Sequence, residues 1–200
     1  MKIGILGGTF DPPHIGHLAI AEKAYKHLNL DRLWIMPTGN PNYKDREDIT
    51  DKHIRAEMVK SAIKDMKDFE FSDFEMNRTG IIYTSDTLQL LKEKYPDDHF
   101  YFIVGGDSLE NITRWYRPNI IFKLCTIVAF CRDDIANDNL KCLAKQLKVE
   151  YDADIIILNI PAIDISSSDI RDLCREGKEF KDFVNENTYN FIVDNKLYLN

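Results

Sequence analysis

The stretch Gly7-Gly8-Thr9-Phe10-Asp11-Pro12-Pro13-His14-Ile15-Gly16-His17 decides how this chain is read. Before it, Lys2–Leu6 has the apolar run of a buried strand. After it, Ile15, Leu18, Ala19, Tyr25 and Leu28 recur at the spacing of one helix face, which predicts a helix over His14–Leu28. A strand, a glycine pair and a helix start make the corner where doubly wound sheets bind ligands, outside the carboxyl ends of their strands. Adjacent glycines let backbone N–H groups approach a polyphosphate with no Cβ in the way. The helix that follows turns its positive dipole end and unpaired donors toward the same place. His14 and His17, three residues apart, share one face of its first turn, and Gly16 leaves room for a ligand between them. Two imidazoles there can donate to phosphate oxygens and stabilise charge that grows as a phosphoryl bond breaks. The plainer alternative has one histidine packed on the helix surface and the other capping locally.

Outward from this corner, short β-branched runs alternate with amphipathic segments. Leu33–Met36 reads as a strand closed by Pro37, and Thr50 or Asp51 can cap a helix to about Lys67, with Ile54, Met58, Ala62 and Ile63 facing inward. Phe69–Phe71 reads as a short strand, Thr84–Lys94 as a helix stopped by Pro96, and Phe100–Val104 as a strand entering Gly105-Gly106. Thr126–Cys131 and Asp154–Ile160 read as strands around a helix over Asn139–Lys148, with terminal helices over Ser167–Arg175 and about Glu186–Asp194. The alternation predicts an α/β chain: a Rossmann-like doubly wound parallel sheet with a small C-terminal helical portion, in one domain over residues 1–200. Thr38–Thr50, rich in Gly, Pro, Asn and charge, reads as the most mobile loop.

Of the 200 residues, 44% are hydrophobic and 30% charged, a balance that suits a globular protein with a sizeable core. No apolar run approaches the ~20 residues of a spanning helix. Met1–Leu6 reads as a strand rather than a signal peptide, so the expected location is the cytoplasm, with no membrane partner. A net charge of -7 argues against nucleic acid as a partner, because that binding normally shows as a basic patch. Small anions remain accessible to local cations and oriented N–H groups. The four cysteines, Cys125, Cys131, Cys142 and Cys174, lack C-x-x-C spacing and read as reduced structural thiols. No side-chain metal site is expected, and a homo-oligomer is left open.

A second helix start stands near the end, Ile165-Ser166-Ser167-Ser168-Asp169-Ile170-Arg171. Ser166 or Ser167 can cap, Asp169 supports the first turn, and Arg171 offers a planar fork suited to phosphate. Alone, this is equally a plain cap with a surface arginine. The dinucleotide fingerprint G-x-G-x-x-G is absent, because Gly4, Gly7 and Gly8 have the wrong spacing, and no loop ends in Gly-Lys-Ser/Thr. Dehydrogenase and kinase readings lose their main support.

The string Gly8–His17 resembles the signature of the HxGH nucleotidyltransferase superfamily and is close to that of bacterial nicotinate-nucleotide adenylyltransferases. The second motif resembles that family's Ile-Ser-Ser-x-x-Ile-Arg. The resemblance implies that His14 and His17 contact ATP phosphates, that Gly7, Gly8, Thr9 and Phe10 lie along the nucleotide, and that Ser167, Ser168 and Arg171 bind the β- and γ-phosphates. It implies nucleotide contact at Gly105 and Asp107 too, where a carboxylate can accept from ribose hydroxyls. Asp107 is alternatively a cap for a short helix over Ser108–Ile112. The middle of the chain, Tyr83-Thr84-Ser85-Asp86-Thr87-Leu88 and Trp115-Tyr116, resembles the nicotinate branch, in which Thr84, Trp115 and Tyr116 match positions holding the pyridine carboxylate and ring. Physically, an electron-poor pyridinium stacks well on indole, and a carboxylate suits a helix start.

The family's loop usually reads Pro-Pro-His-Lys; here it is Pro41-Asn42-Tyr43-Lys44, which keeps the lysine and replaces the imidazole. The strand ending at Cys131-Arg132 continues Asp133-Asp134 instead of the usual Pro-Gly, with Arg132 expected near the nucleotide. The implied reaction joins ATP to nicotinate mononucleotide, with Mg²⁺ carried by ATP and His14, His17, Lys44 and Arg171 as the catalytic donors or cations. Rivals are an amidated or phosphopantetheine acceptor, a non-catalytic nucleotide sensor and a dehydrogenase.

Overall fold

Every strand of the sheet runs the same way. The computed structural model describes residues 1–39, 49–131, 134–161 and 163–199, with the backbone alone for 134–137. The elements are β1 (Lys2–Gly8), α1 (Ile15–Leu28), β2 (Arg32–Pro37), α2 (Lys52–Ile63), β3 (Phe69–Phe71), α3 (Thr84–Lys94), β4 (His99–Gly105), α4 (Gly106–Asn111), α5 (Pro118–Leu124), β5 (Cys125–Cys131), α6 (Asp134–Tyr151), β6 (Ile155–Asn159), α7 (Ser167–Arg175) and α8 (Glu186–Asp194). The six strands pair in parallel in the order β3-β2-β1-β4-β5-β6. The winding reverses between β1 and β4, the topological switch point where such sheets open a ligand crevice. Register aligns Gly8 with Pro37, Gly105 with Phe130 and Cys131 with Asn159, so the carboxyl ends share one edge.

Alternation along the strands splits the core in two. Ile3, Ile5, Phe100, Phe102, Val104, Ile127 and Ala129 face one side, covered by Leu88 and Leu91 of α3, Ile121 and Phe122 of α5, and Leu140 and Leu147 of α6. Leu6, Leu33, Ile35, Ile103, Val128 and Phe130 face the other, covered by Ala21 and Ala24 of α1 and Val59, Ala62 and Ile63 of α2. Because both faces are covered, β5 is buried along its whole length, as parallel strands usually are. A third cluster joins Met58 of α2 to Ile170, Cys174, Phe180, Val184 and Ile192, which docks α7 and α8 onto α2. Asn185 Nδ2 donates to the Ala62 carbonyl at 2.6 Å and Ser61 Oγ to the Asn187 carbonyl at 3.0 Å across the same joint.

Several boundaries differ from the sequence expectation. Helix α1 starts at Ile15 because His14 is its cap. Helix α2 ends at Ile63, four residues short of Lys67, and α6 begins five residues earlier than Asn139. Helix α4 starts at Gly106 with Gly105 as its cap, so Asp107 lies inside the first turn and does not cap. Helix α5 was not expected. Pro118 at its first position after Arg117 in the left-handed conformation sets it off from the 3-10 turn Ile112–Arg114.

Cys125, Cys131 and Cys174 are buried and Cys142 is exposed. Burial pushes the Cys125 thiol far up, and raises that of Cys174 to about 11. Thiolate is the reactive form, so an aromatic disulfide reagent at about pH 8 is expected to titrate Cys142 alone in the native chain and all four cysteines after denaturation. Prompt reaction of more than one native thiol would contradict this packing.

Candidate active site

At the corner between β1 and α1 the backbone turns through Phe10, at φ 51°, with its side chain only 1% exposed, and then through a cis Asp11–Pro12 peptide. His14 caps α1. Its Nδ1 accepts from the Gly16 N–H at 3.1 Å, while the His14 N–H donates to Nδ1 of His17 at 3.2 Å. The two imidazoles replace the Ser and Glu of an ordinary capping box. Both histidines take part in the local capping that the plainer alternative gave to one of them, and their rings lie tilted at 34° with centroids 3.7 Å apart. An imidazole whose Nδ1 accepts carries its proton on Nε2, so capping fixes both rings as Nε2–H donors. Gly16 is what permits it, because a Cβ there would stand 2.9 Å from Cε1 and Nδ1 of His14.

Behind this corner lies a polar frame. Asp11 is 3% exposed; its Oδ1 accepts from the Tyr198 hydroxyl at 2.7 Å and its Oδ2 from the Thr50 N–H at 3.2 Å. Burial and the Asp11 carboxylate push the Tyr198 hydroxyl far up, so it remains a donor. Arg171, 2% exposed, donates from Nη1 to the Asp11 carbonyl at 2.6 Å and from Nη2 to Ser168 Oγ at 3.2 Å. Its Nε has no partner among the described residues. Ser167 Oγ donates to the Pro12 carbonyl at 2.8 Å, so the second motif is stitched directly to the first. Ser166 caps α7 in a reciprocal box with Asp169, whose carboxyl is held low by the Ser166 hydroxyl and N–H. Arg55, 1% exposed, donates to the carbonyls of Thr9 at 2.7 Å, Thr38 at 2.9 Å and Thr50 at 3.0 Å.

The other expected residues sit along the same sheet edge. Gly7 and Gly8 end β1, and Gly105 ends β4, with nothing within 4 Å of where its Cβ would be. Asp107 is exposed in the first turn of α4. Thr84 is the first residue of α3, whose cap, Tyr83, makes no side-chain capping bond. Tyr116 is 50% exposed and stacks on Tyr83 with centroids 4.3 Å apart, while half-buried Trp115 meets Phe102 edge-on at 6.4 Å. Arg117 ties this segment to α3 through Gln89 at 3.0 Å and Asp86 at 3.6 Å. Lys44, Tyr43 and Arg132 lie outside the described residues.

Sequence reasoning missed Arg55, Tyr83 and the role of Asp11. An arginine in an amphipathic helix ordinarily reads as solvated, and only the convergence of the Thr9, Thr38 and Thr50 carbonyls on it shows otherwise. Imidazole nitrogen NMR at about pH 8, above the ordinary histidine range, is expected to show Nε2-protonated tautomers for His14 and His17. Gly16→Ala should abolish that state at His14. Nδ1 protonation in the unaltered chain would contradict the capping geometry.

Comparison with known proteins shows the family and the fold. Residues 5–173 match the family model described as Cytidylyltransferase-like. Proteins named "Probable nicotinate-nucleotide adenylyltransferase" from Clostridium tetani and Lachnoclostridium phytofermentans are 41% and 38% identical, over 98% and 99% of both chains. A structure of the Plasmodium falciparum nicotinic acid mononucleotide adenylyltransferase complexed with NaAD superposes with a TM-score of 0.80 at 22% identity, covering 98% of this chain and 97% of that one. That likeness shows the shared fold. With 38–41% identity to these relatives over nearly the full length and the histidine-capped corner in place, the chain belongs to the nicotinate-nucleotide adenylyltransferases of the cytidylyltransferase-like family.

Proposed function

We propose that this chain transfers the adenylyl group of ATP to nicotinate mononucleotide, giving nicotinate adenine dinucleotide and diphosphate, as a cytoplasmic step of NAD biosynthesis. The observation that carries the reading is the pair of imidazoles fixed as Nε2–H donors beside the glycine turn of β1. The names of relatives about 40% identical over the full length support the acceptor. Residues 1–200 act as one domain, and α7 and α8 complete its ATP side.

A phosphate oxygen of the acceptor attacks the α-phosphorus in line, and the bond from that phosphorus to the bridging oxygen of the β-phosphate breaks. The nucleophile is already an anion, so no covalent enzyme intermediate is needed, and the protein's work is positioning and charge stabilisation. His14 and His17 donate to the phosphate oxygens. Gly7, Gly8, Thr9 and Phe10 line the nucleotide, with Gly105 and Asp107 at its ribose. Ser167, Ser168 and the first-turn amides of α7 receive the β- and γ-phosphates, with the positive charge of Arg171 fixed behind them and Lys44 adding a second. Thr84 at the start of α3 takes the pyridine carboxylate, and Trp115 and Tyr116 take the ring.

Among the described residues, no group of three or more His, Cys, Asp or Glu side chains stands together to hold a metal. A Mg²⁺ would arrive on ATP, ligated by phosphate and water. When bound, it neutralises charge on the departing diphosphate.

Diphosphate release from ATP, measured against nicotinate mononucleotide, its amide and phosphopantetheine, is expected to give the highest kcat/KM with the nicotinate form. A higher value with either rival overturns the acceptor, and no release with any of them favours a nucleotide-binding protein without transfer. His17→Ala is expected to cut kcat by about 10²–10³, the scale of one preorganised donor. Trp115→Ala should instead raise the acceptor KM by about tenfold; a loss confined to ATP affinity would contradict its placement.

A further inference from the structure

Between β3 and α3 the chain makes a turn over residues 74–77 that carries a half-buried carboxylate, Glu75. Thr87 Oγ1, one helical turn beyond Thr84 and itself 1% exposed, donates to Glu75 Oε1 at 2.8 Å and accepts from Arg78 Nη1 at 2.8 Å. The Thr38 side chain hydrogen-bonds the same carboxylate from the exit of β2. The carbonyl of Thr38 is in turn held by Arg55, whose Nη1 grips Thr9 in the glycine turn. Backbone contact reinforces the joint, because a Cβ on Gly39 would stand 2.6 Å from the Glu75 carbonyl oxygen, so only glycine lets the two segments meet this closely. Lys52 Nζ fastens the turn to α2 through the Met76 carbonyl at 3.2 Å.

We infer that Glu75 is a positioning residue, the strut that sets the first turn of α3 against the glycine turn of β1 and so fixes where the acceptor stands relative to ATP. The inference rests on the reading that Thr84 receives the acceptor. A continuous path runs from Thr9 through Arg55, Thr38, Glu75 and Thr87 to the start of α3. Burial raises the Glu75 carboxyl against the pull of Thr87, Arg78 and Thr38. A pure packing role would be served better by an apolar side chain, since a desolvated carboxylate is costly unless its hydrogen bonds are needed. What the carboxylate adds is direction, with two hydroxyls from different elements converging on it.

The test compares Glu75→Gln, Thr87→Val and Thr87→Ser. Loss of one hydrogen bond to a charged group corresponds to about tenfold. Glu75→Gln and Thr87→Val are each expected to raise the acceptor KM by about that factor, with the ATP KM within about twofold. Thr87→Ser, which keeps the hydroxyl, should restore the native value, and the Glu75→Gln/Thr87→Val pair should be no worse than either single variant. Equal changes in both KM values, or none, overturn the inference. Hydrogen exchange reads the strut without turnover: the amides of Asp86 and Thr87, bonded to the Tyr83 carbonyl at 3.1 and 3.0 Å, should exchange about tenfold faster in both variants, with α7 unchanged. Unchanged protection there overturns the strut whichever acceptor is used, whereas faster exchange in a chain that ignores nicotinate mononucleotide faults only the acceptor reading. Should Glu75→Gln fail to fold, Thr87→Val carries both measurements.

Discussion

One buried carboxylate organises this molecule. Asp11 is desolvated between β1 and α1, where an ionised group is tolerated only if its oxygens are met by donors. Those donors are the Thr50 N–H, just ahead of α2, and the Tyr198 hydroxyl at the far end of the chain. The backbone carbonyl of the same residue holds Arg171 of α7. Three segments that share no sequence neighbourhood are drawn to one point. The small C-terminal helices consequently become part of the glycine turn's support as well as a covering for α2.

The same logic explains the chemistry at the surface of the corner. With Asp11, Pro12 and Thr9 pinned from behind by Tyr198, Ser167, Arg171 and Arg55, the chain enters α1 in a fixed conformation. The capping demand of α1 is then met by imidazoles, which consumes both Nδ1 atoms and commits both protons to Nε2. A structural requirement, the satisfaction of helix N-terminal amides, thereby sets the protonation pattern that the proposed phosphate contacts call for. In the proposed transfer, donors preorganised in this way would need no reorganisation as charge shifts toward the leaving diphosphate.

Much of this was legible in the chain itself. Helices over Thr84–Lys94, Ser167–Arg175 and Glu186–Asp194 fall where their caps and periodicity put them, because each is bounded by strong local signals such as Ser166 or Pro96. The β–Gly-Gly–α corner was legible for the same reason, as the end of β1 running into the start of α1. Helix α5 is not legible because Ile120, Ile121, Phe122 and Leu124 run directly into the buried strand Cys125–Cys131, and an apolar stretch broken only by Lys123 and Thr126 carries no clear period. Helix α6 was shortened because the apolar pattern is weak before Leu140. The frame behind the site was illegible for a deeper reason. Arg55, Asp11 and Tyr198 take their meaning from partners dozens to nearly two hundred positions away, and nothing in their local spacing reports it.

The claim that the donor site is held by the buried carboxylate of Asp11 is tested most directly by calorimetric titration with a non-hydrolysable ATP analogue. Asp11→Asn keeps the size of the side chain but leaves only one oxygen to accept from Thr50 and Tyr198. The account predicts an affinity at least about tenfold weaker than that of the unaltered chain, in a protein that remains folded. Unchanged affinity in a folded Asp11→Asn variant would contradict it.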